Sequence, residues 1–402
     1  MTSIRSRYLK HIFLLLGFAA LSATNMPAIA TEGSLVEDSS RTKTHHQDRS
    51  RHPHYAPRVQ VAILLDTSNS MDGLINQTRE QLWQMVDELS HMKKNNVSPV
   101  LEVAIYQYGN SRLSQKVGYV QEVAGFTSEL DRVSEALFSL TTDGGDEYCG
   151  FAIRTAVKQL HWSTKSSDIR MIFIAGNEPF TQGPINYVDA IVLAKEKDIS
   201  ITTIYAGDYQ EGLSTGWQRG ALLADGNFMS IDHNHAVAHV DAPQDKRINE
   251  LNRRLNDTYI PYGAKGQEAA VRQLEQDDRS QQVSSAFAAK RAKAKASAVY
   301  KNSQWDLVDA IESGEAELEA LDEEALPEAM AVMSAEERVD FVASKKKERK
   351  EIKQEIAKLG KERDKYVESV QSDAPAAPTI KDALSKSIRE QASKKEYEFS
   401  VE

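Results

Sequence analysis

Three oxygen-bearing side chains lie within five residues of one another: Asp66, Ser68 and Ser70. A carboxylate and two hydroxyls are hard oxygen donors of low net charge, which suits Mg²⁺ or Mn²⁺ held partly through water. The apolar run 61–65 comes directly before them and predicts a buried β-strand. Ligands of open parallel sheets bind at the carboxyl ends of strands. The segment therefore predicts a divalent metal site, with a coordination position left open for an acidic side chain of another protein.

A purely structural interpretation of the same residues stays open. Asp, Ser, Thr and Asn favour turns and helix N-termini because their side chains hydrogen-bond to nearby backbone groups. Residues 66–70 could thus form only a polar turn and a helix cap. The order of the surrounding elements decides between the two interpretations.

The elements that would position these side chains follow an alternating pattern. Short apolar runs rich in β-branched residues have the length of strands, and amphipathic stretches such as 74–92 and 188–197 separate them. This alternation predicts an α/β fold with a doubly wound, mostly parallel sheet covered on both faces. The predicted strands are Val61–Leu65, Leu101–Ile105, Ile169–Ile174, Ile199–Tyr205 and Asn227–Ile231.

With strand, loop and helix in this order, the Asp-x-Ser-x-Ser segment resembles the metal-ion-dependent adhesion site of von Willebrand factor A domains. The resemblance covers residues 57–240. Loop 141–147 corresponds to the family's second metal loop, and loop 175–179 to its third. The resemblance implies a sandwich fold and metal-dependent protein binding or adhesion rather than enzymatic activity.

Two positions depart from the family pattern. Asp146 follows the paired glycines where the family usually has threonine, and Gly176 with Asn177 stands where the third loop usually carries aspartate. We therefore expect Asp146 to restore the charge lost from the third loop and to join Asp66, Ser68 and Ser70 as a ligand. Thr142 and Asn177 are expected as outer ligands.

The N-terminal region has the features of an export signal. Basic residues precede the apolar stretch 12–23, and small residues follow at 28–30, which predicts a signal peptide over residues 1–30 and a periplasmic or secreted protein. Residues 31–56 are polar and are predicted to be a disordered linker. No segment after the signal is long and apolar enough to span a membrane. The single cysteine, Cys149, excludes an internal disulfide, and the net charge of −10 argues against a nucleic-acid partner.

Residues 241–402 predict a charged helical extension. Ser334 and Glu337 have the spacing of a capping box that opens a long helix, and the apolar spacing along that helix suggests a short coiled coil. Arg349 and Arg363 interrupt the apolar positions, so a solvated helix packed weakly on the domain fits equally well. The tail after the Pro-containing segment 373–378 is expected to be loose. An extracytoplasmic scaffold acting through this extension is the alternative function.

Two further patterns are compatible with other chemistry. Gly212-Leu213-Ser214-Thr215-Gly216 has the spacing of a serine-hydrolase elbow, with Asp225 and a later histidine as the other members of a triad, but residues 207–211 intervene after the preceding strand. The histidines 233, 235 and 239 could bind zinc, although the sequence offers them no rigid frame. We expect a polar loop at both places.

Overall fold

The computed structural model describes residues 56–69, 71–231, 240–371 and 380–399. The predicted signal peptide and linker, Ser70 and the three clustered histidines lie outside these residues. No helix among the described residues is long and apolar enough to cross a membrane.

Strands and helices alternate as far as residue 231, and helices follow. The strands are Arg58–Asp66 (β1), Met92–Lys93 (β2), Val100–Tyr108 (β3), Val120–Thr127 (β4), Ile169–Gly176 (β5), Ser200–Ala206 (β6), Phe228–Ile231 (β7) and Glu398–Phe399 (β8). The helices are Asp72–Ser90 (α1), Leu130–Ser139 (α2), Cys149–Gln159 (α3), Tyr187–Glu196 (α4), Tyr209–Ser214 (α5), Trp217–Leu223 (α6), Asp245–Asn256 (α7), Gly266–Val283 (α8), Ser285–Ala296 (α9), Leu307–Ser313 (α10), Glu328–Ala331 (α11), Ala335–Gln371 (α12) and Ile380–Lys394 (α13).

Six strands form the central sheet in the order β4-β3-β1-β5-β6-β7. Every neighbouring pair is parallel except β3 and β4, which confirms the predicted mostly parallel α/β fold. The edge strand β4 was not predicted, since it is mostly half-buried or exposed and has no continuous apolar run. The chain passes from β1 to β3 on one side of the sheet and later to β5 on the other side. The strand order therefore reverses at β1, where a ligand site is expected.

Helices cover both faces of the sheet. Ala62 and Leu64 of β1 belong to a core shared with α3 and α4, whereas Val61, Ile63 and Leu65 belong to a core shared with α1 and α2. Alternate residues of a strand point to opposite faces, so both faces of β1 are apolar. This explains why the strand reads as one continuous hydrophobic run.

The helices after β7 share the core of the sheet. Leu251 of α7, Phe287 of α9 and Ile356 of α12 are fully buried in the same hydrophobic cluster as Val61 and Leu65. Ser334 and Glu337 form the predicted reciprocal capping box at the start of α12. The domain limit near residue 240 and the coiled coil stay predictions.

The expectation of a loose tail after residue 378 was wrong for residues 380–399. Ile388 of α13 is fully buried, and the hydroxyls of Ser387 and Thr202 lie 2.8 Å apart, which ties α13 to β6. Beyond α13, β8 pairs antiparallel with β2. Leu384, Ile388 and Ala392 recur at a spacing of four, which is an amphipathic signal in the sequence. Helix α13 therefore completes the helical cover of the sheet from the far end of the chain.

Replacing Ile388 with alanine is expected to lower the free energy of unfolding by about 2–5 kcal/mol, because it leaves a cavity under α13. Urea unfolding of the full chain measures the change. The exposed neighbour Lys386, replaced with alanine, is the matched control and should shift stability by less than about 0.5 kcal/mol. Equal effects of the two substitutions would show that α13 does not contribute to the core.

Buried charges fasten the later helices to the domain. Arg291 of α9 bonds to Asp131 of α2 at 2.8 Å and to Asp277 of α8 at 2.6 Å. Lys295, which is also fully buried, bonds to Asp277 at 2.8 Å. The guanidinium of Arg291 lies 4.7 Å from the ring centroid of Trp83 on α1. Each of these buried cations has a carboxylate partner, as burial of charge requires.

The two arginines that interrupt the apolar pattern of α12 are buried in the same way. Arg349 donates to Asp309 at 2.7 Å and also bonds to Asp306, while Arg363 donates to Asp245 at 2.6 Å. Both arginines are less than 5% exposed. A weakly packed, solvated helix does not describe these contacts, since α12 is held by paired charges from α7 and α10.

Acid should weaken this helical layer through Asp277. Burial alone would raise the pKa of Asp277, but Lys295 and Arg291 outweigh it and hold the pKa well below its usual value. The unfolded chain, with a carboxyl pKa of about 3.9, takes up this proton at a higher pH than the folded chain does. The stabilisation is therefore complete above that pH and is lost as the pH falls below it.

We expect the free energy of unfolding to fall between about pH 5 and pH 2, and to fall less steeply in Asp277→Asn. Denaturant unfolding at a series of pH values measures the slope. The exposed neighbour Asp278, changed to asparagine, is the control and should keep the slope of the unchanged protein. A slope in Asp277→Asn equal to that of the unchanged protein would contradict this assignment.

Candidate metal centre

Asp66 is the last residue of β1 and is fully buried. Its Oδ1 accepts a hydrogen bond of 2.7 Å from the backbone N–H of Ser68. Thr67 is fully buried and Ser68 is only 5% exposed, so residues 66–68 of the predicted first loop lie under the surface. This hydrogen bond keeps Ser68 close to the carboxylate of Asp66.

Backbone contacts with two neighbouring segments hold this first loop. The N–H of Thr67 donates to the carbonyl of Tyr108 at the end of β3, and the carbonyl of Thr67 accepts from the N–H of Asp143 at 3.0 Å. The side chain of Asn110 donates to the carbonyl of Thr141 at 3.0 Å. The first loop, the end of β3 and the second loop therefore form one connected edge of the sheet.

The second loop contributes Glu147. Its side chain is buried and interacts directly with the carboxyl group of Asp66 and the hydroxyl of Ser68. Gly109 makes this approach possible, because a Cβ there would lie 2.7 Å from Cγ of Glu147 and 2.9 Å from Oδ1 of Asp66. The backbone N–H of Glu147 donates to Oε1 of Gln182 at 2.9 Å, which fixes the loop from the other side.

Three buried oxygens at this point have no hydrogen-bond partner: Oδ2 of Asp66, Oγ of Ser68 and Oε2 of Glu147. An unsatisfied buried carboxylate oxygen is costly, and two ionised carboxylates cannot donate hydrogen bonds to each other. A divalent cation accepts oxygen ligands of this kind. No group of three or more His, Cys, Asp or Glu side chains in the described ranges could hold a metal. The donors gathered here are instead two carboxylates and one hydroxyl, which together fit a hard cation.

The electrostatics of the pair agree with this donor set. Burial raises the pKa of Asp66, and its hydrogen bonds offset this only in part. Burial, followed by the adjacent carboxyl group and the negative charge of Asp66, raises the pKa of Glu147. The charge of the exposed Glu178 raises both pKa values further. No basic side chain is among the causes that raise these two pKa values.

The other predicted ligands do not gather at this point. Asp146 is exposed and accepts a hydrogen bond of 3.1 Å from the hydroxyl of Tyr148, so Glu147, not Asp146, is the second-loop residue that faces Asp66. Thr142 donates to Asp72 at 2.9 Å. Asn177 is half-buried in the third loop, and Ser70 lies outside the described residues.

The family model of the von Willebrand factor type A domain matches residues 60–214. These residues form a von Willebrand factor type A domain. The match includes all three loops described above and ends before β7. The predicted resemblance is thereby confirmed for this segment, and the helices from α7 onward lie outside it. No curated protein matches the chain.

Several solved structures are similar to the domain at low identity. Proximal thread matrix protein 1 from the mussel byssus, with a zinc-occupied metal-ion-dependent adhesion site, is 12% identical over 44% of this chain and 43% of its own, with a TM-score of 0.34. The pilus adhesin SpaC from Lactobacillus rhamnosus GG is 12% identical over 44% and 28%, with a TM-score of 0.33. A von Willebrand factor type A protein from Catenulispora acidiphila is 17% identical over 44% and 39%, with a TM-score of 0.32. The chain thus spans less than half the length of each.

The third loop of the domain has no space for a side chain at Gly176. A Cβ there would overlap the hydroxyl of Tyr108 and would lie 3.2 Å from Oδ2 of Asp66. Tyr108 is fully buried, and its hydroxyl donates to the carbonyl of Ala175 at 2.9 Å. The packing of Tyr108 therefore requires glycine where the family usually has aspartate.

The elbow-like segment around Ser214 lies in a short helix and not on a sharp turn that leaves a strand. Ser214 ends the short helix α5, and its hydroxyl donates to the carbonyl of Glu211 at 2.9 Å. Asp225 pairs with Lys195 at 2.8 Å, and the histidines expected to complete a triad lie outside the described residues. Gly216 precedes the next helix, α6, as its N-cap residue.

Replacing Gly176 with alanine should lower the free energy of unfolding by about 1–3 kcal/mol, because the added methyl group overpacks the Tyr108 hydroxyl. In a Tyr108→Phe background the same replacement should cost less, since the hydroxyl is gone. Urea unfolding of the four chains measures this coupling. Additive effects would show that Tyr108 does not restrict the third loop.

Proposed function

We propose that the domain binds a divalent cation, Mg²⁺ or Mn²⁺, at Asp66, Ser68 and Ser70, and uses it to bind an acidic side chain of a partner protein. The observation that carries the proposal is the group of buried oxygens without hydrogen-bond partners at the carboxyl end of β1. The match to a von Willebrand factor type A domain over residues 60–214 supports it.

Different residues would orient the ligands of such a site and hold its first loop in place. The N–H of Ser68 holds one oxygen of Asp66 and leaves the other free to act as a ligand. The carbonyl of Tyr108 and the N–H of Asp143 hold the first loop in place from both sides. When bound, the cation supplies a positive centre that attracts a carboxylate from outside. Rigid support of this kind lowers the entropy lost on binding.

A role in binding rather than catalysis fits the same observations. The hydroxyl of Ser214 in the hydrolase-like segment is engaged with its own helix, where it donates to the carbonyl of Glu211. The N-terminal export pattern further suggests that the partner is met in the periplasm or outside the cell. We therefore propose an exported, non-enzymatic binding protein.

The rival function is a scaffold that binds through its C-terminal helices. Deleting residues 334–402 would not separate the two hypotheses, because that deletion removes α13 and uncovers the sheet. Substitutions on the exposed side of α12 are a better test, since Val339 and Tyr366 are 45% and 37% exposed. Loss of partner binding in Val339→Ser with Tyr366→Ser, but not in Asp66→Ala, would favour the scaffold.

Mn²⁺ or Mg²⁺ should raise the thermal unfolding midpoint of the full chain above its value in EDTA. At a cation concentration of 100 times the dissociation constant the stabilisation is about 2.7 kcal/mol. Asp66→Ala should abolish the rise. Calorimetry measures the midpoint, and Asp340→Ala, which removes an exposed carboxylate of α12, should keep the full rise.

Binding of an acidic group is tested separately, with a short glutamate-containing peptide and its glutamine counterpart as probes. In Mn²⁺ the glutamate peptide should bind and the glutamine peptide should not, and EDTA should abolish the difference. Titration calorimetry with the full chain measures both peptides. A midpoint that no divalent ion raises, or peptide binding that survives in EDTA, would contradict the proposed function.

A further inference from the structure

We infer that Glu147 supplies the second negatively charged ligand of the cation site, in place of an acidic residue in the third loop. The inference rests on the proposed function, since it names a ligand of the same site. The sequence pattern had predicted the neighbouring Asp146, not Glu147, as the ligand from the second loop.

The first argument is the burial of Glu147. Its side chain is 5% exposed, whereas the carboxylate of Asp146 is at the surface. No lysine, arginine or histidine in the described ranges forms an ion pair with Glu147 or with Asp66. Burying two carboxylates side by side without a counter-charge is strongly unfavourable. A divalent cation held by Asp66 and Glu147 would remove that penalty.

The second argument comes from the third loop. Gly176 cannot carry a side chain because Tyr108 occupies the space, and the next acidic residue, Glu178, is exposed. The carbonyl of Glu178 accepts a hydrogen bond of 2.9 Å from Nε1 of Trp217, which fixes the backbone of that residue. The third loop therefore offers no buried carboxylate, and the second loop does.

The third argument is that the surrounding backbone is adapted to Glu147. Gly109 has a φ of +78° and no side chain. A Cβ at this position would lie 2.7 Å from Cγ of Glu147. Gln182, which follows the third loop, accepts a hydrogen bond from the N–H of Glu147. The buried charge thus lies in the second loop, which is tied by this hydrogen bond to the segment after the third loop.

This assignment has a consequence for the cation. Two carboxylates balance the charge of a divalent ion, and the affinity of oxygen-ligand sites depends on the number of charged ligands. The chain should therefore bind Mn²⁺ in the absence of any partner carboxylate. It should also lose most of that affinity when either carboxylate is removed.

The test is titration calorimetry of EDTA-treated full-length protein with Mn²⁺ alone. Glu147→Gln should weaken Mn²⁺ binding by at least about 10-fold, the loss seen when even an indirect support of a metal is removed. Asp146→Asn and Glu178→Gln are the matched controls and should bind Mn²⁺ as the unchanged protein does. Asp66→Ala reports on the proposed function itself.

Thermal unfolding in EDTA separates a ligand from a structural residue. Glu147→Gln keeps the shape of the side chain and removes one of two buried carboxyl groups that face each other, so its midpoint in EDTA should equal or exceed that of the unchanged protein. In Mn²⁺ the unchanged protein should have the higher unfolding midpoint. If Glu147→Gln fails to fold, Glu147→Asp serves instead. Its charge is kept but its carboxylate is set back by one methylene, and its Mn²⁺ affinity should fall.

The possible outcomes are distinct. Loss of Mn²⁺ binding in Asp66→Ala but not in Glu147→Gln would overturn the inference and leave the proposed function standing. Loss of Mn²⁺ binding in Glu178→Gln but not in Glu147→Gln would show that the second charged ligand comes from the third loop. Unchanged binding in Glu147→Asp, should that variant be needed, would also overturn the inference. Full binding in both Asp66→Ala and Glu147→Gln would overturn the inference and the proposed function together.

Discussion

The negative charge of Asp66 lies at the carboxyl end of β1, in the middle of the sheet, where burial makes it costly unless a cation or a proton accompanies it. The parallel register of β1 with β3 and β5 sets Asp66 opposite Tyr108 and sets Leu65 opposite Ala175. Because the strands end together, three loops meet around one carboxylate. Gly109, after β3, and Gly176, at the end of β5, both allow close approach to that carboxylate. The second loop contacts it from a third direction.

The helical layer shows how the chain treats buried charge elsewhere. Each deeply buried arginine there is matched by a carboxylate at hydrogen-bonding distance, as in the pairs Arg291 with Asp131 and Arg363 with Asp245. Asp66 and Glu147 have no such match among the described residues. In a protein that otherwise pairs its interior charges, these two adjacent buried carboxyl groups are the feature on which the proposed cation site rests.

The sequence predicted the parts of the fold that depend on local pattern. The parallel strands are buried on both faces and therefore appear as apolar runs, and the first loop has a recognisable spacing. Edge strand β4 has no such run and was missed. Glu147 could not be told from Asp146, because the two are adjacent and only the path of the backbone past Gly109 decides which one turns inward. Arg349 and Arg363 looked like interruptions of α12, since their carboxylate partners are far away in the sequence.

Helix α13 comes from the far end of the chain and packs into the same hydrophobic core as the sheet. Helix α1 begins directly after the first loop, and its residue Trp83 packs under Arg291 of α9 while Leu82 and Met85 line the same core as Leu384 of α13. The helix that starts at the site is thus held between the sheet and helices from the second half of the chain. A site built on elements fixed in this way keeps its ligand geometry better than one on free loops. The stability of the helical layer and the geometry around Asp66 are therefore parts of one structural problem.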